Sequence, residues 1–174
     1  MAKLIFDIET IGEDFHGMDE TTQYVLTHWI RANAKSDEEY AYKLEQLKNE
    51  LGFSPLTGEI VAIGLIDGEK DAGAVYYQAP GFETAETQEG NIKFRAMHEK
   101  EILEQFWNLA SRYDEFITFN GRGFDVPFIL ARSAVHSIRP TKDLMSNRYL
   151  NSQKYDAKHI DLYDQLSYYG ATRQ

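Results

Sequence analysis

Three acids stand where their residue types and spacing could do chemistry. Asp7 and Glu9 lie one residue apart in FDIET, inside an otherwise apolar run, and Asp125 follows the turn in FNGRGFDVPFI. In an extended segment, residues two apart share a face and sit about 6.6–6.8 Å apart along the strand. Asp7 and Glu9 therefore point together, while Phe6 and Ile8 turn into the packing on the other side. Two carboxylates at that spacing can share one hard divalent cation, which takes oxygen ligands. They can equally solvate the end of a strand, where acids are disfavoured but not excluded. Asp125 follows two glycines and an asparagine, residues that permit a sharp strand-to-helix turn. A carboxylate there also suits a helix N-terminus as a cap. If the strand before that turn lies beside the first strand, Asp125 comes towards Asp7 and Glu9.

The elements that must position these acids are legible in outline. KLIFDI (residues 3–8) is a β-favouring run closed by the breaker Gly12. Asp19 is a plausible cap for a helix over TTQYVLTHWIRAN, in which Tyr24, Val25, His28 and Trp29 recur at three- and four-residue spacing. Ser36 or Asp37 starts a second helix, with Tyr40, Leu44, Leu47 and Leu51 on one stripe and Gly52 at its stop. The pair forms a helical hairpin, about 19–52, inserted after the first strand. Two strands follow, Glu59 to Ile66 and AGAVYYQA, joined across Asp67-Gly68 to Gly73. Residues 81–96 are polar and read as a loop. A helix from about Glu99 to Tyr113 turns Ile102, Leu103, Phe106, Trp107 and Ala110 inward. EFITFNG is a strand, and FDVPFILARSAVHSI is a helix with Pro127 in its first turn, where the missing N–H costs nothing. Residues 139–158 are irregular and basic, and HIDLYDQLSYY begins as a short strand or turn and continues as a helix. That alternation predicts a three-layer α/β sheet of mixed strand direction.

Composition narrows the chemistry. The 174 residues suit a single domain with a core of its own, and the absence of cysteine excludes disulfides, thiolate zinc sites and cysteine nucleophiles. No basic n-region opens the chain and no run approaches the roughly 18 apolar residues of a spanning helix, so the expectation is a cytoplasmic protein with no membrane partner. A net charge of −10 argues against a nucleic-acid partner at first sight, but it is uneven. Residues 1–121 carry 10 Lys/Arg against 23 Asp/Glu, and residues 122–160 carry seven against three. Arg122, Arg132, Arg139, Lys142, Arg148, Lys154 and Lys158 could form a basic patch, or simply a solvated face.

The two motifs together resemble the DEDD superfamily of 3′–5′ exonucleases, which has a ribonuclease-H-like fold. FDIET looks like its first motif, and NGRGFDVPFI looks like its second, in the form found in proteins similar to the proofreading exonuclease domain of family-B DNA polymerases. PLTGEIVAIGL and HIDLYDQL fit the same subgroup, and the resemblance covers most of residues 3–170. It implies a mixed five-stranded sheet flanked by helices, two Mg2+ or Mn2+ ions, and release of nucleoside monophosphates from a nucleic-acid 3′ end, DNA more than RNA. Carried over by position, Asp7 resembles the acid that bridges both ions, Glu9 the acid on the first ion that also lies near the 3′ terminus, and Asp125 the second-motif ligand. Thr10, Asn120 and Phe124 fall at positions of contact with the 3′ end, although the residues themselves read otherwise for two of them: Asn120 shapes the turn, and Phe124, like Phe128, belongs to the core.

The family also needs a fourth acid, with a Tyr or His four or five positions before it. No Tyr-x3-Asp follows Asp125. His159 and Asp164 have the histidine spacing, with His159 as base, but in this subgroup HIDLYDQL is an upstream segment, and Asp164 follows Asp125 by only 39 residues. The competing reading makes His159 a strand-end or surface histidine and has Asp161 and Asp164 cap the last helix. The expectation is thus one exonuclease-like domain over 1–174, incomplete at its C-terminal end, with weak or absent nuclease activity. Two other readings remain. FDIETI approximates the Asp-x-Asp-x-Thr of haloacid-dehalogenase-type phosphatases, against which stand Glu9 and the lack of a later Gly-Asp-x3-Asp. A non-catalytic ribonuclease-H-like module that binds nucleic acid or a protein would use the same fold without the chemistry.

Overall fold

The computed structural model describes residues 2–81 and 85–171; part of the loop expected over 81–96, residues 82–84, lies outside them. In chain order the elements are β1 (Lys3–Gly12), α1 (Glu20–Asn33), α2 (Asp37–Glu50), β2 (Gly58–Asp67), β3 (Ala72–Tyr77), β4 (Glu86–Glu89) and β5 (Ile92–Ala96). They continue as α3 (Glu99–Ala110), β6 (Glu115–Thr118), α4 (Asp125–Val135), β7 (Lys158–Asp161) and α5 (Leu162–Leu166). The seven strands form one mixed sheet in the order β4-β5-β3-β2-β1-β6-β7. The helix-flanked α/β fold agrees with expectation, with seven strands in place of five.

The extra strands are β4 and β5. All four residues of β4 are exposed, so the segment gives no hydrophobic alternation to detect. It folds back on β5 antiparallel through Gly90, whose φ of +56° suits glycine, and β5 joins β3 in parallel.

The chain divides into two compact units, one of Met1–Glu9 with Ile60–Gln174 and the other of Thr10–Glu59. In the first, β1 alternates strictly: Leu4, Phe6 and Ile8 are buried, and Lys3, Ile5, Asp7 and Glu9 are exposed. The buried set joins one core with Ile102, Phe106 and Trp107 of α3 and Val126, Phe128 and Ile129 of α4. Phe6 meets Phe106 edge-on at 5.2 Å, and the Trp107 indole donates to Ser133 Oγ at 2.8 Å. Glu99, at the start of α3, is buried and accepts from the Ile60 amide at 2.8 Å and from the Arg132 guanidinium at 2.7–2.8 Å, and it contacts His136 Nε2 at 2.6 Å. On the opposite face of the sheet, Ile5, Gly64, Val75, Ile117 and Phe119 line an open groove of about 670 Å3 that Asp7 also borders.

The second unit is the helical hairpin. Asp19 caps α1 by accepting from Thr21 and Thr22, and Ser36 caps α2 by accepting from Glu39, both helices starting within a residue of where the sequence puts them. Gly12 and Gly52 pass so closely that a Cβ on Gly12 would stand 2.9 Å from the Gly52 nitrogen. The stripe of Tyr24, Val25 and Trp29 faces solvent, whereas Thr27 and Ile30 are the buried residues of α1. The spacing is helical as expected; the face that packs is the neighbouring one.

Candidate active site

The site begins with β1. The alternation that sends Phe6 and Ile8 into the core leaves Asp7 and Glu9 on the open face. Next to β1 lies β6, parallel and in register over Lys3↔Glu115 to Ile5↔Ile117. The short β6 ends at Thr118, so the Ile8 amide lies beyond its ladder and takes another acceptor, Asp125 Oδ1 at 3.1 Å.

Asp125 reaches that position through a tight turn. Asn120 sits at φ +58° in the left-handed region that asparagine tolerates. A Cβ on Gly121 would run into the Thr118 side chain, so that position has room only for glycine. The Asn120 carbonyl accepts from the Gly123 and Phe124 amides at 2.9 and 3.1 Å, and the Gly121 carbonyl accepts from the Val126 amide at 2.8 Å, which fastens the turn to the first turn of α4. The N-cap position of α4 is Phe124, which makes no side-chain cap bond, and the Asp125 carboxylate is directed across to β1.

Asp125 is 3% exposed. Burial first, and the charge of Asp7 second, push its carboxyl up to about 6 against the hydrogen bonds that favour its ionised form. The two side chains lie within hydrogen-bonding reach of each other. A pair of carboxylates in that state is what a hard divalent cation relieves, so this donor set fits one such ion. Glu9 does not complete a larger set: among the described residues no group of three or more His, Cys, Asp or Glu comes together to hold a metal. Thr10 donates its hydroxyl to the Gly52 carbonyl at 2.7 Å, and Phe124 packs on Phe128 at 5.5 Å between ring centres beside the core.

The HIDLYD segment lies elsewhere in its interactions. His159 is 1% exposed in β7, between the Thr118 hydroxyl at 2.8 Å and the Leu144 carbonyl at 3.1 Å. Burial lowers its pKa to about 4, so the ring is neutral at pH 7 with both nitrogens occupied. It is therefore a buried strand histidine; it is neither at the surface nor open to a water as a base. Asp164 is buried and receives the Arg148 guanidinium, which holds its carboxyl below the usual range. Asp161 alone caps α5, accepting from the Tyr163 amide, and it also accepts from the Asn120 and Arg122 amides, a role the sequence reading missed. The signal was the register of β7 against β6, Thr118↔Asp161, which spacing along the chain does not encode. The basic run is largely engaged within the protein. Arg132 pairs with Glu99, Arg148 with Asp164 and Lys154 with Asp143, while Arg122 and Lys142 donate to the Leu144 and Asp156 carbonyls.

A family model described as a predicted 3′–5′ exonuclease related to the exonuclease domain of PolB matches residues 71–174. Among solved structures, a family B DNA polymerase from the hyperthermophilic archaeon Pyrobaculum calidifontis aligns at a TM-score of 0.48 with 14% identity, covering 95% of this chain and 16% of that one. No curated protein matches.

Proposed function

The chain belongs to the family of predicted 3′–5′ exonucleases related to the exonuclease domain of PolB, and from that premise we propose a cation-dependent hydrolase of phosphodiesters at nucleic-acid 3′ ends, DNA before RNA. The observation that carries the reading is the juxtaposition of Asp7 and Asp125, two acids from distant parts of the sequence whose like charges meet beside β1. Isolated surface acids would be kept apart; a repelling pair held by a buried backbone bond favours a site whose cost serves binding.

Asp7 and Asp125 would hold Mg2+ or Mn2+, which when bound polarises phosphoryl oxygens and makes a water nucleophilic near neutral pH. The protein's own part is positioning. The Ile8 amide fixes Asp125 Oδ1, and the Asp125 carboxyl also feels the charge of Asp7. The turn keeps Asp125 at the head of α4, whose N-terminal amides favour negative charge, the carboxylate and an incoming phosphate alike. Glu9, at the next outward position of β1, is the third acid of the proposal and would approach the 3′ terminus. Thr10, Asn120 and Phe124 remain proposed contacts of the 3′ nucleotide, Asn120 through the turn it shapes. Because among the described residues no third acid joins Asp7 and Asp125, cleavage by this 174-residue chain should be weak.

The test is cation-dependent binding of a single-stranded DNA oligonucleotide by purified protein, compared with Asp7→Ala and Asp125→Ala. The proposal expects Mn2+ to promote binding in the parent and in neither variant. Equal, metal-independent binding by all three would overturn it in favour of a non-catalytic binding module.

A further inference from the structure

We propose that Asp161 is a positioning residue for the site: it clamps the 119–124 turn and through it sets Asp125 against β1. The part of this inference that concerns cation binding rests on the functional reading above; the part that concerns Asp125 does not.

Asp161 is the last residue of β7, is 3% exposed, and stands opposite Thr118, after which the turn begins. Its carboxylate gathers three backbone amides. Oδ1 accepts from Asn120 at 2.8 Å and from Tyr163 at 3.0 Å, and Oδ2 accepts from Arg122 at 2.9 Å. Amides that converge on one anion form charge-assisted bonds stronger than those to a neutral acceptor. The turn needs such an acceptor because its own carbonyls are committed forward, to Gly123, Phe124 and Val126. Its freedom to shift is small on the other side as well, where Gly121 lies against Thr118 and the Thr118 hydroxyl is held by His159. The carboxylate thus joins β7, the turn and α5 in one bonded unit, and α4 starts from that unit with Asp125 as its first residue. A displacement at residues 120–122 is transmitted through the Gly121–Val126 bond to the Asp125 oxygen on Ile8.

The plain alternative is that Asp161 is the cap of α5 and nothing more. Serine separates the two roles, since it caps a helix about as well as aspartate but offers one small acceptor where the carboxylate serves three amides. The experiment uses the 15N-labelled 174-residue chain without metal, then Mn2+ binding followed by water-proton relaxation. In Asp161→Ser the α5 amides should keep their protection, while the Ile8 amide loses its hydrogen-bonded shift and slow exchange. Mn2+ affinity should fall about 10- to 100-fold, the range seen when groups that orient metal ligands are removed. Asp161→Asn, which turns N–H groups towards the Arg122 amide, should do the same and stands in if the serine variant does not fold. Ser133→Ala, which removes the Trp107 acceptor far along α4, controls for lost stability and should leave the Ile8 amide and Mn2+ affinity unchanged. A folded Asp161 variant with an unaltered Ile8 amide overturns the proposal. If the parent chain binds no Mn2+, the functional reading falls, and the Ile8 amide still decides the clamp.

Discussion

At the scale of residues, the site is defined by an unfavourable arrangement. Asp125 titrates near 6 in the fold against an ordinary 3.8, so between those values the folded chain binds more protons at that group than the unfolded one. The contribution of Asp125 to the stability of the metal-free protein therefore falls as pH rises from about 4 through about 6, while that of His159, held neutral by burial, rises over the same window. Asp7→Asn removes the opposing charge and should raise the metal-free melting temperature at pH 7.5 by about 2–6 °C, with little gain at pH 4. Calorimetry in EDTA at both pH values checks this; equal gains at both would mean that Asp7 does not act on Asp125 through charge. The turn makes a second prediction. Gly121→Ala meets the Thr118 side chain and should cost about 1–3 kcal/mol in urea unfolding, as an overpacked site does. Sequence singled out Asp7 and Asp125 as candidates and indicated the need for a sharp turn, which the structure has at 120–124. It could not disclose the fate of His159 and Asp164, because their spacing imitates a base and an acid while β7 and Arg148 bury and engage them.

Elements were readable wherever a periodic apolar face meets a definite stop. α3 and its inward residues, the caps of α1 and α2, and the start of β1 follow from propensity and pattern, whereas β1 runs past the expected residues 3–8 to Gly12. β4 escaped because an all-exposed strand has no alternation, and the outward turn of Tyr24, Val25 and Trp29 escaped because helical spacing identifies a stripe without saying which stripe is covered. The joint between β2, α3 and α4 is carried by Glu99, whose burial alone would raise its pKa but whose bonds from Arg132, His136 and Ile60 bring it below the ordinary value. Its contribution is present above the unfolded carboxylate range and is lost as pH falls through the folded value. Glu99→Ala should cost about 3–5 kcal/mol at pH 7, since it strands the buried Arg132 charge, and denaturant midpoints will read it. A loss below about 1 kcal/mol would mean that water replaces the carboxylate there.

For the molecule as a whole, charge sets the terms of any nucleic-acid contact. With a net charge of −10 and most of its basic run bonded internally, the protein has little electrostatic attraction for phosphate of its own. Binding of an oligonucleotide in EDTA should accordingly be feeble, and added Mn2+ should raise it by neutralising the acidic pair and offering the phosphate a cation to bind. No helix among the described residues is long and apolar enough to cross a membrane. The sheet carries an apolar groove on the face that bears Asp7, to which Ile5 adds an apolar side chain where the alternation of β1 calls for a polar one. The central claim is that Asp7 and Asp125 are one cation site, and Mn2+ titration followed by electron paramagnetic resonance tests it most directly. The account predicts a saturable Mn2+ signal in the parent chain that is lost in Asp7→Asn and in Asp125→Asn alike, with both variants folded. Retention of that signal in either variant would contradict it.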